Sequence, residues 1–71
     1  MINKNDMNAF FYDIDKIIDR EMEKEKTYCA KFIKLNPGAK EYRENIRNIY
    51  LEALQQIRHD INDYRISKRF Y

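Results

Sequence analysis

Leu35-Asn36-Pro37-Gly38-Ala39 holds the only proline and the only glycine of the 71-residue chain, almost at its midpoint. Proline fixes its φ and lacks an N–H, so it is tolerated in a turn or in the first turn of a helix and breaks a helix interior. On both sides of this stretch apolar residues recur in steps of three and four, the period of a helix with one buried face. The reading is all-α: a turn over 35–38 joining two long helices in an antiparallel helix-loop-helix hairpin, one domain over residues 1–71.

The first helix is predicted over about 7–34. Asn5 or Asp6 is placed to cap it by accepting from first-turn N–H groups. Its stripe is Met7, Phe10, Phe11, Ile14, Ile17, Ile18, Met22, Tyr28, Cys29, Phe32 and Leu35. The second helix is predicted over about 39–66, with Asn36 as its N-cap and Pro37 as its first residue. Glu41 and Glu44 suit the positive end of its dipole. Its stripe is Tyr42, Ile46, Ile49, Tyr50, Ala53, Leu54, Ile57, Ile61 and Tyr64. A short turn sets the register, so Phe32 falls near Tyr42, Ile18 near Leu54, Ile14 near Ile57, and Phe11 near Ile61.

Both stripes are wider than one helix–helix seam. Phe10-Phe11, Ile17-Ile18, Ile49-Tyr50 and Ala53-Leu54 are adjacent apolar pairs. Neighbours point about 100° apart on a helix, so one of each pair faces away from the partner helix. A second copy would cover the remainder. The expected state is a homodimer approximating a four-helix bundle, with Phe11, Ile14, Ile18, Ile46, Ile49, Tyr50, Leu54, Ile57 and Ile61 as core and dimer residues.

Chemistry is sparse. One glycine does not make a phosphate-cradling loop. One cysteine and one histidine do not close a metal site, and Gln56 stands where a Glu-x-x-His motif ending at His59 would need its glutamate. Cys29 lies on the core stripe and His59 on the polar side, so no nucleophile–base pair forms. The expectation is no enzyme, no cofactor and no metal. Glu21 and Glu25 interrupt the first stripe and are expected to meet Arg43, Arg47 or the Tyr50 hydroxyl. A lone cysteine suits a reducing compartment. No apolar run approaches the roughly 18 residues of a membrane span, and Met1–Asp6 lacks a leader-like apolar stretch. The expected location is a bacterial cytoplasm, with no membrane partner.

Net charge is +2, from 14 basic and 12 acidic side chains, too balanced for a dedicated nucleic-acid binder. Ten isoleucines, six tyrosines and four phenylalanines suffice for a folded chain. Heavy use of Lys, Asn, Ile and Tyr is what AT-rich coding gives, as in low-GC bacteria and their phages. On the second helix Lys40, Arg43, Arg47, Arg58, Arg65 and Arg69 share one flank, a candidate surface for an anionic partner. Acidic residues are absent after Asp63, leaving the basic tail Arg65-Ile66-Ser67-Lys68-Arg69-Phe70-Tyr71. Cations around Ile66, with aromatic residues at the end, suit a docking peptide projecting past the bundle. Arg65, Ile66, Lys68, Arg69 and Phe70 are its candidate contacts.

Arg65-Ile66-Ser67-Lys68-Arg69 resembles the Arg-Ile-Ile-Lys element of the small capsid-size-redirecting internal scaffolds of staphylococcal pathogenicity islands, which are phage satellites. Ser67 stands where that element has its second apolar residue. The length and the helix-loop-helix layout agree over the whole chain. The resemblance implies a capsid morphogenesis protein inside assembling procapsids, its partner the major coat protein, redirecting shell size. Two other readings stand beside it. One is a helical inhibitor of a host or phage enzyme, acting near Leu51 and Leu54. The other is a weak nucleic-acid binder using the arginine flank.

Overall fold

The computed structural model describes residues 3–68. Two helices, α1 (Lys4–Leu35) and α2 (Lys40–Ser67), are joined by one 3-10 turn over Pro37–Ala39. They lie antiparallel in a hairpin of 53 × 17 × 13 Å. Among the described residues there is no strand. The all-α hairpin read from the Asn36-Pro37-Gly38 break is therefore the fold; α1 extends beyond its predicted bounds at both ends, and α2 is shifted by one residue toward the C-terminus.

The ends of the helices differ from expectation in two ways. Asn3, not Asn5 or Asp6, caps α1: its side-chain oxygen accepts from the Asp6 N–H at 2.9 Å. Asn36 caps backward rather than forward. Its side-chain nitrogen donates to the Phe32 carbonyl at 3.1 Å, closing α1. The Asn36 backbone, at φ −137° and ψ 68°, turns the chain away, and the Ala39 N–H returns to the Asn36 carbonyl at 2.9 Å. Pro37 thus opens the 3-10 turn, and α2 starts from Ala39 with no side-chain cap. Gly38 has open space where a Cβ would lie.

The seam between the helices is thin. Phe11, Ile18 and Cys29 are its buried side chains, with Cys29 only 1% exposed. Ile14, Leu54 and Ile61 are half-buried beside them, as expected of core residues. Ile46, Ile49, Tyr50 and Ile57, counted with that core from the sequence, are exposed in the single hairpin, Ile49 by 67%. They sit beside the seam rather than in it. The cross-helix contacts follow the expected register. The Cys29 thiol lies 3.8 Å from the Arg43 carbonyl, Arg58 reaches Asp15, and Arg65 reaches Asn8.

Candidate interaction surface

The residues beside the seam divide the hairpin into two unlike flanks. On one side, Met7, Phe10, Phe11 and Ile14 of α1 and Ile57, Asp60, Ile61 and Tyr64 of α2 line a single cleft of about 570 Å³ at the open end. Ile46, Ile49, Tyr50 and Ala53 form a second hollow further along α2. Thirteen large apolar side chains are well exposed among the described residues, and eleven belong to this flank. They are Phe10, Ile17, Tyr28, Phe32 and Leu35 on α1, and Tyr42, Ile46, Ile49, Tyr50, Ile57 and Tyr64 on α2. At about 100° per residue each set occupies one sector of its helix, and the shared cleft shows that the two sectors face the same way. Tyr12 and Ile66 are the two that lie elsewhere. The opposite groove is polar, lined by Met22, Lys26, Leu51, Glu52, Gln55, Gln56 and His59.

Size reinforces the point. A compact monomer of 8.8 kDa exposes about 4,800 Å² by the usual scaling. This hairpin exposes 5833 Å². Its radius of gyration is 16.3 Å, against about 11 Å for a compact chain of this length.

Charged side chains hold the two helices together. Arg43 and Glu25 meet across the seam at 2.5 Å, with side chains 14% and 12% exposed. The Glu25 carboxylate pushes the Arg43 guanidinium above its ordinary pKa, first through their hydrogen bond and then through charge attraction, against the opposing cost of desolvation. One of the two glutamates in the first stripe therefore meets Arg43, as expected. Glu21 instead pairs with Lys24 on its own helix at 3.3 Å. Arg58 reaches both Asp15 and Asp19. Arg65 donates to the Asn8 side-chain oxygen at 3.0 Å and lies over the Phe11 ring at 5.4 Å.

These contacts revise the arginine flank. Arg43, Arg58 and Arg65 project toward the seam and clasp α1, so they do not form an open row of cations. A guanidinium on a long stem crosses the seam and meets a carboxylate or amide there.

The basic end is also revised. Arg65, Ile66 and Ser67 are the last turn of α2, and Ser67 donates to the Tyr64 carbonyl at 2.9 Å. Arg65 lies level with Asn8, so this part of the tail stays within the length of the hairpin. Ile66, 59% exposed, and Lys68 face outward. The expected contacts Arg69 and Phe70 lie outside the described residues.

His59 is exposed on the polar flank, and Cys29 is enclosed beside Arg43 roughly 20 Å along the hairpin from it, so the two are not brought together. No group of three or more His, Cys, Asp or Glu that could hold a metal ion occurs among the described residues. Among the same residues, no helix is long and apolar enough to cross a membrane. Comparison with protein-family models, with curated proteins and with solved structures finds no match to this chain.

Proposed function

We propose that this hairpin is an assembly protein that acts by docking alone, as an internal scaffold for a viral or satellite capsid. In this reading two copies pair through the apolar flank. The outward residues at the end of α2 then engage the coat protein, and holding two coat subunits in one relation biases the curvature of the shell. The observation that supports it is the division of the surface. One flank carries eleven exposed large apolar side chains, the other is polar, and the end of α2 presents Ile66 and Lys68 to solvent. Individually weak contacts suffice when many copies act together, and weak contacts allow a scaffold to leave the finished shell.

The test is capture of coat protein by tagged protein from phage-infected cells, identified by mass spectrometry. The comparison is a variant with Ile66, Lys68 and Arg69 changed to alanine. Arg65 is kept, because removing it would loosen the hairpin. Coat protein retained by the full chain and lost by the variant supports the scaffold. An enzyme retained equally by both overturns it in favour of an inhibitor.

That second reading draws on the open-end cleft between Phe10 and Tyr64, where both helices contribute apolar walls. It moves the contact away from Leu51 and Leu54, which are half-buried at the seam. The nucleic-acid reading loses support, since three of its arginines already pair with α1.

A further inference from the structure

The apolar flank carries few charges, and their positions bear on how a second copy would sit. In the α1 sector, Glu21 and Lys24 interrupt the apolar row near mid-length, with side chains 37% and 51% exposed. At the same level α2 presents Ala53, Tyr50 and Ile49, which are apolar. Asp60 is the charge in the α2 row, beside Phe10 and Ile14 in the open-end cleft.

Two face-to-face stackings with two-fold symmetry are open to such a ribbon. With both open ends together, α1 lies over the partner's α2. Glu21 and Lys24 then press onto the partner's Tyr50 and the partner's Ala53, and Asp60 onto the partner's Phe10. Glu21 and Lys24 would keep only each other as partners on a desolvating apolar surface, and Asp60 would be pressed onto an apolar ring, which is unfavourable. With the hairpins stacked end for end, α1 lies over the partner's α1. A two-fold at the level between residues 22 and 23 brings Glu21 to the partner's Lys24 and Lys24 to the partner's Glu21. The in-hairpin register puts Tyr50 at that level on α2, so Tyr50 meets the partner's Tyr50 on the axis. The same operation lays Phe10 over the partner's Leu35 and Ile17 over the partner's Tyr28, and on α2 it sets Ile57 between the partner's Tyr42 and the partner's Ile46, and Ile46 between the partner's Ala53 and the partner's Ile57. Glu21 and Lys24 meet opposite charge, the apolar side chains meet apolar ones, and Asp60 falls at the level of the partner's Tyr42.

We infer that the second copy binds this flank end for end, keyed by reciprocal Glu21–Lys24 pairs across the two-fold, so that the two α2 C-termini leave from opposite ends. The inference rests on the pairing of two copies in the proposed function and not on the coat contact. The flank is 53 by 17 Å in plan, roughly 900 Å² and comparable to the about 800 Å² per partner of a stable interface. Ser67 lies 17 residues from Tyr50, so the two helix ends stand about 50 Å apart. The dimer would then be a bivalent spacer of set length.

The experiment places a spin label at Ser67→Cys in full-length protein carrying Cys29→Ala. The inter-label distance is measured by pulsed electron resonance, and the mass by sedimentation. A dimer with labels near 50 Å is the expected result. A dimer with labels closer than about 30 Å, as open-end pairing gives, overturns the orientation. A monomer at all concentrations overturns the pairing itself. None of these outcomes bears on coat binding, which the capture experiment reads.

Charge exchange supplies a second readout in which Cys29 is untouched. Lys24→Glu should raise the dimer Kd about tenfold, and Glu21→Lys combined with Lys24→Glu should recover most of that loss. Failure of the double variant to recover refutes the reciprocal pairing.

Discussion

Phe10 and Phe11 are adjacent, with rings edge to face at 5.6 Å and 72°, yet they lie in different environments. Phe11 is 6% exposed at the seam, and Phe10 is 55% exposed on the apolar flank. Phe11→Ala removes a buried ring and leaves a cavity, which costs about 3–5 kcal/mol. A chain of this size has only about 4–10 kcal/mol of net stability, so that variant should sit near or past its unfolding midpoint in dilute buffer. Phe11→Leu keeps most of the volume and should cost about 1.5 kcal/mol. Phe10→Ala gives up less than half of a full phenylalanine burial, about 1 kcal/mol within the hairpin. Its larger effect should fall on association, because the exposed half of the ring is what a second copy would cover. Urea unfolding followed by far-UV circular dichroism, at low and high protein concentration, separates the two. Losses from the Phe11 variants should be present at both concentrations. The loss from Phe10→Ala should grow with concentration, as mass action requires when binding stabilises the folded form. Equal, concentration-independent losses at both positions would refute the division into seam and flank.

Three further outcomes follow from local geometry. Asn3→Ala should lower stability by about 1 kcal/mol, a shift of several degrees in Tm by calorimetry, while Asn5→Ala should be near neutral, because Asn3 alone accepts the Asp6 N–H. Gly38→Ala should raise stability by about 0.4–1 kcal/mol in the same assay: the added Cβ meets open space, and the unfolded chain loses freedom. Arg58→Met should cost under about 1 kcal/mol, since Asp15 and Asp19 are half-exposed to screening solvent. That difference from the parent chain should shrink as salt rises in urea titrations.

The break at Asn36-Pro37-Gly38, the antiparallel register and Arg43 as one of three candidate partners for a stripe glutamate were legible, because each depends on period and spacing. The capping residues were not. Asn3, Asn5 and Asp6 are all competent to cap, and which one does so depends on where the backbone leaves extended geometry. Asn36 is short enough to reach the carbonyl behind it or the N–H groups ahead, and its backbone angles decide between them. The arginine flank looked open because the wheel of α2 alone does not say where α1 lies: Arg58 and Arg65 stand four residues after Leu54 and Ile61, on the side that α1 covers. Ile46, Ile49, Tyr50 and Ile57 fall in one group with the seam residues, as core and dimer positions together, because periodicity records an apolar position without saying which neighbour covers it. A wheel of one helix does not distinguish the seam from the flank.

Cys29 is the most enclosed side chain described, 1% exposed between the helices and close to the Arg43 carbonyl. A thiol there is beyond the reach of an alkylating reagent until α1 and α2 part. It is the one cysteine in the sequence, so each labelling event would mark one opening of the hairpin. The ratio of its alkylation rate to that of a free thiol therefore measures the fraction of time the hairpin spends open. Ligands or partners that close the structure should slow that clock, and the protein needs no added probe to show it.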